Sequence, residues 1–150
     1  MAWQKRIGKD ISALREAGFP VVMDQDDMST FVTVMKGPPD TPYESCSWRV
    51  RFTIPKGFPF ESPSVGFVER ILHPNVDEPS GSICLDTLNK AWSAAFTIKH
   101  IVESVLPYLL TYPNPDDPLN RDAAYLMKTN PDGFKARVRK HSLENCYESN

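Results

Sequence analysis

From Trp48 to Ile54 the chain reads Trp-Arg-Val-Arg-Phe-Thr-Ile, so Trp48, Val50, Phe52 and Ile54 alternate with Arg49, Arg51 and Thr53. A period of two places the large apolar side chains on one face of a strand and both arginines on the other. Such a strand belongs in an antiparallel sheet with one face covered and one face wet. Phe31-Val32-Thr33-Val34-Met35 is a second run of strand formers, and the turn Gly37-Pro38-Pro39-Asp40 follows it. Pro55, Gly57 and Pro59 break the arginine strand, Ser64 to Val68 is a shorter strand, and a weaker one falls near Val21 to Met23. The expectation is a four-stranded antiparallel sheet.

Helices flank these strands. Residues 2–16 place Trp3, Ile7, Ile11 and Leu14 at spacings of four, four and three, one apolar stripe with Lys5, Arg6 and Lys9 off it. Gly8 weakens that helix by about 1 kcal/mol relative to alanine, and Gly18 and Pro20 end it. Later, Thr97 can cap a segment containing Ile98, Ile101, Val102, Val105, Leu106, Leu109 and Leu110. Apolar residues around most of its surface predict burial, and Pro107 predicts a bend because it removes a backbone donor. Asn120 can cap a short helix from Arg121 to Lys128, and Asn130-Pro131 opens a last helix. Helix, strand run, long loop and helices make an α+β plan rather than alternating βαβ units.

The 14 prolines lie mostly in the middle of the chain, which is therefore loop-rich without being repetitive. No linker interrupts the pattern, so residues 1–150 are expected to form a single domain. A hydrophobic fraction of 41% beside 24% charged residues suits a soluble globular chain, and no apolar run is long enough to span a bilayer. Residues 1–6 lack the apolar core of a signal peptide, which favours cytoplasm or nucleus. The net charge of −2 supplies no field for nucleic acid. The cations Lys135, Arg137, Arg139 and Lys140 have few aromatics among them for base stacking. Cys46, Cys84 and Cys146 are too sparse for a disulfide framework, and His73, His100 and His141 do not join them at zinc spacing. Membrane, nucleic acid and metal are thus set aside.

One stretch resists this reading. "HPNVDEPSGSICLDTL", residues 73–88, delivers Cys84 in an irregular loop with Asn75 nine residues before it. Beside Ile83 and Leu85, Cys84 reads either as a small buried hydrophobe or as a nucleophile. Asp86 is close, and no adjacent cation favours a thiolate. Asn75 reads as a turn residue that ties down the loop or as a neutral amide donor for a transient oxyanion. His73, before Pro74, fits a turn-fixing role better than that of a base. Asp117, in the pair Asp116-Asp117, reads locally as a solvated turn acid.

"GPPDTPYE", "FPFESPSVGF", "HPN", "GSICLD", Trp-Ser-Ala-Ala and "PNPDDPLN", in this order and spacing, resemble a ubiquitin-conjugating enzyme over nearly the whole chain. "VDEPSGSICLD" with "ESVLPYLLTYPNP" is similar to the H-type class, whose members work with a large multi-subunit RING ligase. Leu72 stands where many members carry an aromatic residue, and Ala94 where many carry proline. Many H-type members continue into an acidic tail, while this sequence runs to Asn150.

The resemblance implies a ubiquitin-conjugating fold: N-terminal helix, four-stranded antiparallel sheet, long active-site loop, then C-terminal helices. It implies that Cys84 carries ubiquitin as a thioester, that Asn75 stabilises the oxyanion formed during attack, and that Asp117 orients the attacking lysine. His73, Pro74, Leu85 and Asp86 are assigned to support of that site. Lys5, Arg6, Phe60, Ala94 and Ala95 match the surface that meets ligase and activating enzyme. The implied partners are ubiquitin, an activating enzyme, a RING-type ligase and protein substrates. No cofactor of its own is implied, because ATP and magnesium serve the upstream activating enzyme. The rivals are a conjugating enzyme for another ubiquitin-like modifier and a noncatalytic domain of this fold, which would typically lack the cysteine. A cysteine hydrolase is the poorest fit, since no histidine base stands out.

Overall fold

The computed structural model describes residues 2–150, and of Ala2 only the backbone. Met1 lies outside the described residues. Helix α1 (Ala2–Glu16) buries Ile7, Ile11 and Leu14, with Trp3 partly covered beside them. Its end is a left-handed turn at Gly18 (φ 92°). The Gly18 N–H donates to Arg15 O and the Phe19 N–H to Leu14 O, both at 3.0 Å, which satisfies two carbonyls that the last turn would otherwise leave open.

The sheet follows in the order β1 (Val22–Met23), β2 (Thr30–Lys36), β3 (Cys46–Thr53) and β4 (Ser64–Phe67), all antiparallel. The alternation in β3 is realised: Cys46, Trp48, Val50 and Phe52 are buried, while Arg51 and Thr53 face out. Phe31 and Phe52 are direct partners across β2 and β3, and their rings stack at 5.2 Å. On the wet face Arg49 meets Glu69 at 2.6 Å and lies over the Tyr147 ring at 4.9 Å.

Three features depart from the expected plan. The sheet has a fifth strand, β5 (Glu148–Ser149), which pairs with the start of β3. Its two polar residues carry no alternation to read. The long loop contains a helix, α2 (Leu85–Ala91), whose single buried residue is Leu88. Seven residues are too few to show a helical period.

The segment after Thr97 is not one regular helix. It runs as α3 (Ile98–His100), a π-helical turn (Ile101–Val105) and α4 (Leu106–Thr111). The Leu106 N–H reaches back to Ile101 O, and Pro107 falls in the first turn of α4, where its missing donor costs least. This segment is also buried on one side only. Ile98, Ile101, Val102, Leu106 and Leu110 face the core, whereas Glu103 and Ser104 are exposed and Tyr108 is 67% exposed.

The capping residues behave as their types dictate. Thr97, Asn120 and Asn130 each accept the N–H three residues on: His100, Ala123 and Gly133. The last two open α5 (Arg121–Thr129) and α6 (Pro131–Asn145).

Candidate active site

The site is held in place by the core beneath it. As the chain leaves β4, the Trp48 indole donates to Arg70 O at 3.1 Å and the Tyr43 hydroxyl donates to Leu72 O at 2.7 Å. His73 comes next and is fully buried. Its Nε2–H donates to Leu109 O at 2.8 Å, and its Nδ1 accepts the Asn75 N–H at 3.0 Å. One nitrogen donates and the other accepts, which is the neutral imidazole. Burial pushes its pKa down to about 4. Both nitrogens are committed, so His73 braces the turn and has none left to act as a base. Pro74 contributes its carbonyl, which accepts the N–H of Leu119 (2.9 Å) and of Asn120 (3.0 Å).

Asn75 faces the same distant segment. Its Nδ2 donates to Asn114 O at 2.7 Å and to Asp117 O at 3.3 Å, and its Oδ1 accepts the Asn114 N–H at 2.8 Å. Every polar group of this buried amide is therefore spent on residues 114–117.

The nine-residue gap from Asn75 to Cys84 is closed by a folded-back loop. Val76 and Ile83 form an antiparallel bridge, and the Asp77 N–H donates to Ser82 O at 3.0 Å. Asn75 and Cys84 are the next residues on either side of that bridge, so pairing brings them together. The returning limb is stitched to β4 through Phe67 N–H to Gly81 O (2.8 Å) and Ile83 N–H to Val65 O (3.1 Å). Gly81 is required here: its φ is +75°, and a Cβ would sit 2.0 Å from Phe67 O.

Cys84 ends this limb at the N-cap of α2, with a non-helical backbone (φ −56°, ψ 128°). Its side chain makes no capping hydrogen bond, and it is a free, half-buried thiol. Leu85 and Asp86 begin α2 on its exposed side, Leu85 at 49% exposure. Leu88 is the residue of α2 turned inward. The indole of Trp92, donating to Pro59 O at 2.7 Å, and the amide of Asn89, accepting the Ser62 N–H at 3.2 Å, fix the far end of α2.

The two acids of the Asp116-Asp117 pair are unequal. Asp116 forms an ion pair with Lys128 at 3.0 Å. Asp117 is exposed, and among the described residues its carboxylate forms no salt bridge. Its carbonyl is the one held by Asn75. No group of three or more His, Cys, Asp or Glu side chains suited to a metal occurs among the described residues. Among the described residues, no helix is long and apolar enough to cross a membrane.

Phe60 is 84% exposed, whereas Phe58, two residues earlier, is buried. Lys5 and Ala95 are exposed and Ala94 is half-buried. Arg6 is half-buried and committed to contacts within the fold. Its guanidinium donates to Ala94 O at 2.7 Å and to Phe96 O, and it pairs with Asp10 at 3.2 Å. Asp10, 3% exposed, also accepts the Ile98 N–H at 3.1 Å. Arg6 and Asp10 together fasten residues 94–98 to α1. Neither Asn114 nor this fastening had a local signal: the partners are dozens of positions apart.

The sequence model for the family described as ubiquitin-conjugating enzyme matches residues 5–142. "Ubiquitin-conjugating enzyme E2 5" of Arabidopsis thaliana is 44% identical over 137 residues, which cover 91% of this chain and 74% of that one. "Ubiquitin-conjugating enzyme E2-24 kDa" of Saccharomyces cerevisiae is 40% identical over 138 residues, 92% of this chain and 63% of the other. Among solved structures, the E2 domain of a Toxoplasma gondii ubiquitin conjugating enzyme superposes with a TM-score of 0.85 at 29% identity, covering 95% of this chain and 98% of that one.

Proposed function

The chain belongs to the ubiquitin-conjugating enzyme family, and on that premise we propose that Cys84 carries ubiquitin while Asn75 and Asp117 organise its transfer. Members of the family are cysteine-thioester acyltransferases that work with ubiquitin, an activating enzyme and a ligase. In the loading step the Cys84 sulfur attacks the activating enzyme's thioester carbonyl. A new C–S bond forms, the old one breaks, and the donor thiol leaves. In the discharge step a lysine amine attacks the Cys84 thioester, loses its proton, and expels the sulfur.

That amine is the difficulty. A free lysine has a pKa near about 10.4 and arrives protonated. The Asp117 carboxylate, without a salt bridge among the described residues while Asp116 is paired with Lys128, can orient the ammonium. A carboxylate alone holds the proton on, so desolvation at the site must favour the neutral amine. Asn75 holds the Asp117 carbonyl and acts on this reading as a positioning residue for the acid.

The observation that carries the proposal is the uncommitted Cys84 thiol at the N-cap of α2, one step from Asn75 across the Val76–Ile83 bridge. The exposed Phe60 ring, with Lys5 and Ala95, supports docking of a RING-type ligase, and the H-type motifs point to a large multi-subunit one. No cofactor of its own enters this scheme, and the expected setting is cytoplasm or nucleus.

The test is a non-reducing gel after incubation with activating enzyme, ATP and ubiquitin. Wild-type chain should give a band heavier by one ubiquitin that reductant removes, and Cys84→Ser should give one that reductant leaves. A reductant-sensitive band in Cys84→Ala would reject Cys84, and charging by a different ubiquitin-like modifier alone would reject ubiquitin.

A further inference from the structure

Arg6 lies where three segments of the chain meet, and each nitrogen of its guanidinium is in use. Nε donates to Asp10 Oδ1 at 3.2 Å, Nη1 to Ala94 O at 2.7 Å, and Nη2 to Phe96 O. The guanidinium carbon stands 5.5 Å from the centre of the Phe58 ring. The cation thus touches its own helix α1, the loop that carries Phe60, and the loop that carries Ala94 and Ala95. Asp10, itself buried, spends its second oxygen on the Ile98 N–H at 3.1 Å. That N–H is the first of the helical segment after Thr97 and has no carbonyl of its own helix to bond.

These are the segments that present the proposed docking residues. Lys5 is the neighbour of Arg6 on α1, Phe60 lies two residues after Phe58, and Ala95 lies between the two carbonyls that Arg6 holds. Lys5, Phe60 and Ala95 are exposed, whereas Arg6 is half-buried. A lysine at position 6 could not replace this arrangement. Its ammonium is a point charge on a flexible stem, whereas two carbonyls two residues apart and a carboxylate call for a planar fork of donors.

We propose that Arg6 is a positioning residue for docking: it holds the 94–96 loop against α1 and the Phe58 ring in the shape that the activating enzyme and the ligase recognise. The proposal rests on the docking surface inferred above and adds to it a group that acts through the contact residues. Without the fork the loop samples other shapes, and apparent affinity falls by the fraction that remains competent. A loop that keeps the docking shape about a tenth of the time binds about tenfold more weakly.

The experiment is thioester loading by ubiquitin-activating enzyme with ATP and ubiquitin, at varied concentrations of the full chain. The chains compared are wild type, Arg6→Lys, Arg6→Ala and Ala95→Glu. Arg6→Lys keeps the charge and removes the fork, so its KM should rise about tenfold, as in Arg6→Ala, while kcat stays within about twofold. Amide hydrogen exchange in the uncharged chain should quicken at Phe96 and Ile98 in both Arg6 variants and stay slow at Val50 and Phe52 in β3. Ala95→Glu, a change at an exposed position, should raise KM with exchange at Ile98 unaltered. A wild-type KM in Arg6→Lys beside a raised one in Arg6→Ala would make Arg6 a charge that the partner reads directly, and would overturn the proposal. Wild-type KM in both Arg6 variants would overturn it as well, as would faster exchange extending to Val50 and Phe52, the mark of a general loss of stability. An unchanged KM in Ala95→Glu would remove the docking surface itself and the proposal with it, whereas a raised KM there beside wild-type Arg6 variants would reject the positioning role alone.

Discussion

Asn75→Ala separates two ways in which an asparagine can serve this chemistry. The buried amide makes three hydrogen bonds, all to residues 114–117. Truncation removes the three together and leaves the Asn114 N–H and two carbonyls short of a partner. At about 1 kcal/mol per bond the loss is about 3 kcal/mol. For a domain of this size each kcal/mol moves the thermal midpoint by about 2–4 °C, so a fall of about 6–12 °C is expected.

The effect on transfer follows from the same geometry. Both Nδ2 hydrogens are already given to carbonyls, so neither faces a developing oxyanion while the 114–117 segment stays closed. Asn75 should then act through Asp117. The assay is single-turnover discharge of preloaded chain to free lysine, below the lowered midpoint, for wild type, Asn75→Ala, Asp117→Ala and the double variant. Each single change should leave loading intact and slow discharge by about tenfold or more. The double variant should be no slower than the slower single one, a coupling of about 1.4 kcal/mol for a tenfold effect. Effects that multiply, with Asn75→Ala removing a further factor of about 10² as a lost oxyanion donor would, would refute the positioning argument.

Phe60→Ala should reduce ligase-stimulated transfer by about thirtyfold, the effect of losing about 2 kcal/mol at an aromatic anchor. Its ring is exposed, so the melting temperature and the intrinsic discharge to free lysine should not change; loss of both would place Phe60 in the core. His73 makes stability depend on pH: its folded pKa of about 4 lies below the unfolded value of about 6.5. The stabilisation is therefore complete above the unfolded value and lost as pH falls through the folded one, about 3 kcal/mol over that window. Urea titrations at pH 7 and pH 4.5 should show a steeper loss for wild type than for His73→Gln, and parallel losses would mean that His73 is not the group responsible.

Patterns that act over a few residues were legible before any fold was known. The alternation from Trp48 to Ile54 defined β3 because a strand's own geometry sorts its side chains onto two faces. The stripe of Ile7, Ile11 and Leu14 defined α1 in the same way, and Thr97, Asn120 and Asn130 marked helix starts because a cap bonds to an N–H three residues on. Cys84, Asn75 and Asp117 could be singled out from motifs, but nothing local distinguished an available group from a committed one. Phe58 and Phe60 share one proline-rich loop, yet one ring is buried and the other exposed. Asp116 and Asp117 are neighbours, yet Lys128 pairs with only the first. Arg6 looked like a free surface cation until residues 94 and 96 came within reach of it. The short elements α2 and β5 escaped notice because seven and two residues carry too little periodicity to stand out. A side chain's neighbours along the sequence decide which element it joins. Whether its polar atoms remain free is decided by groups 39 or 88 positions away, and only packing of the whole chain brings those groups within bonding distance.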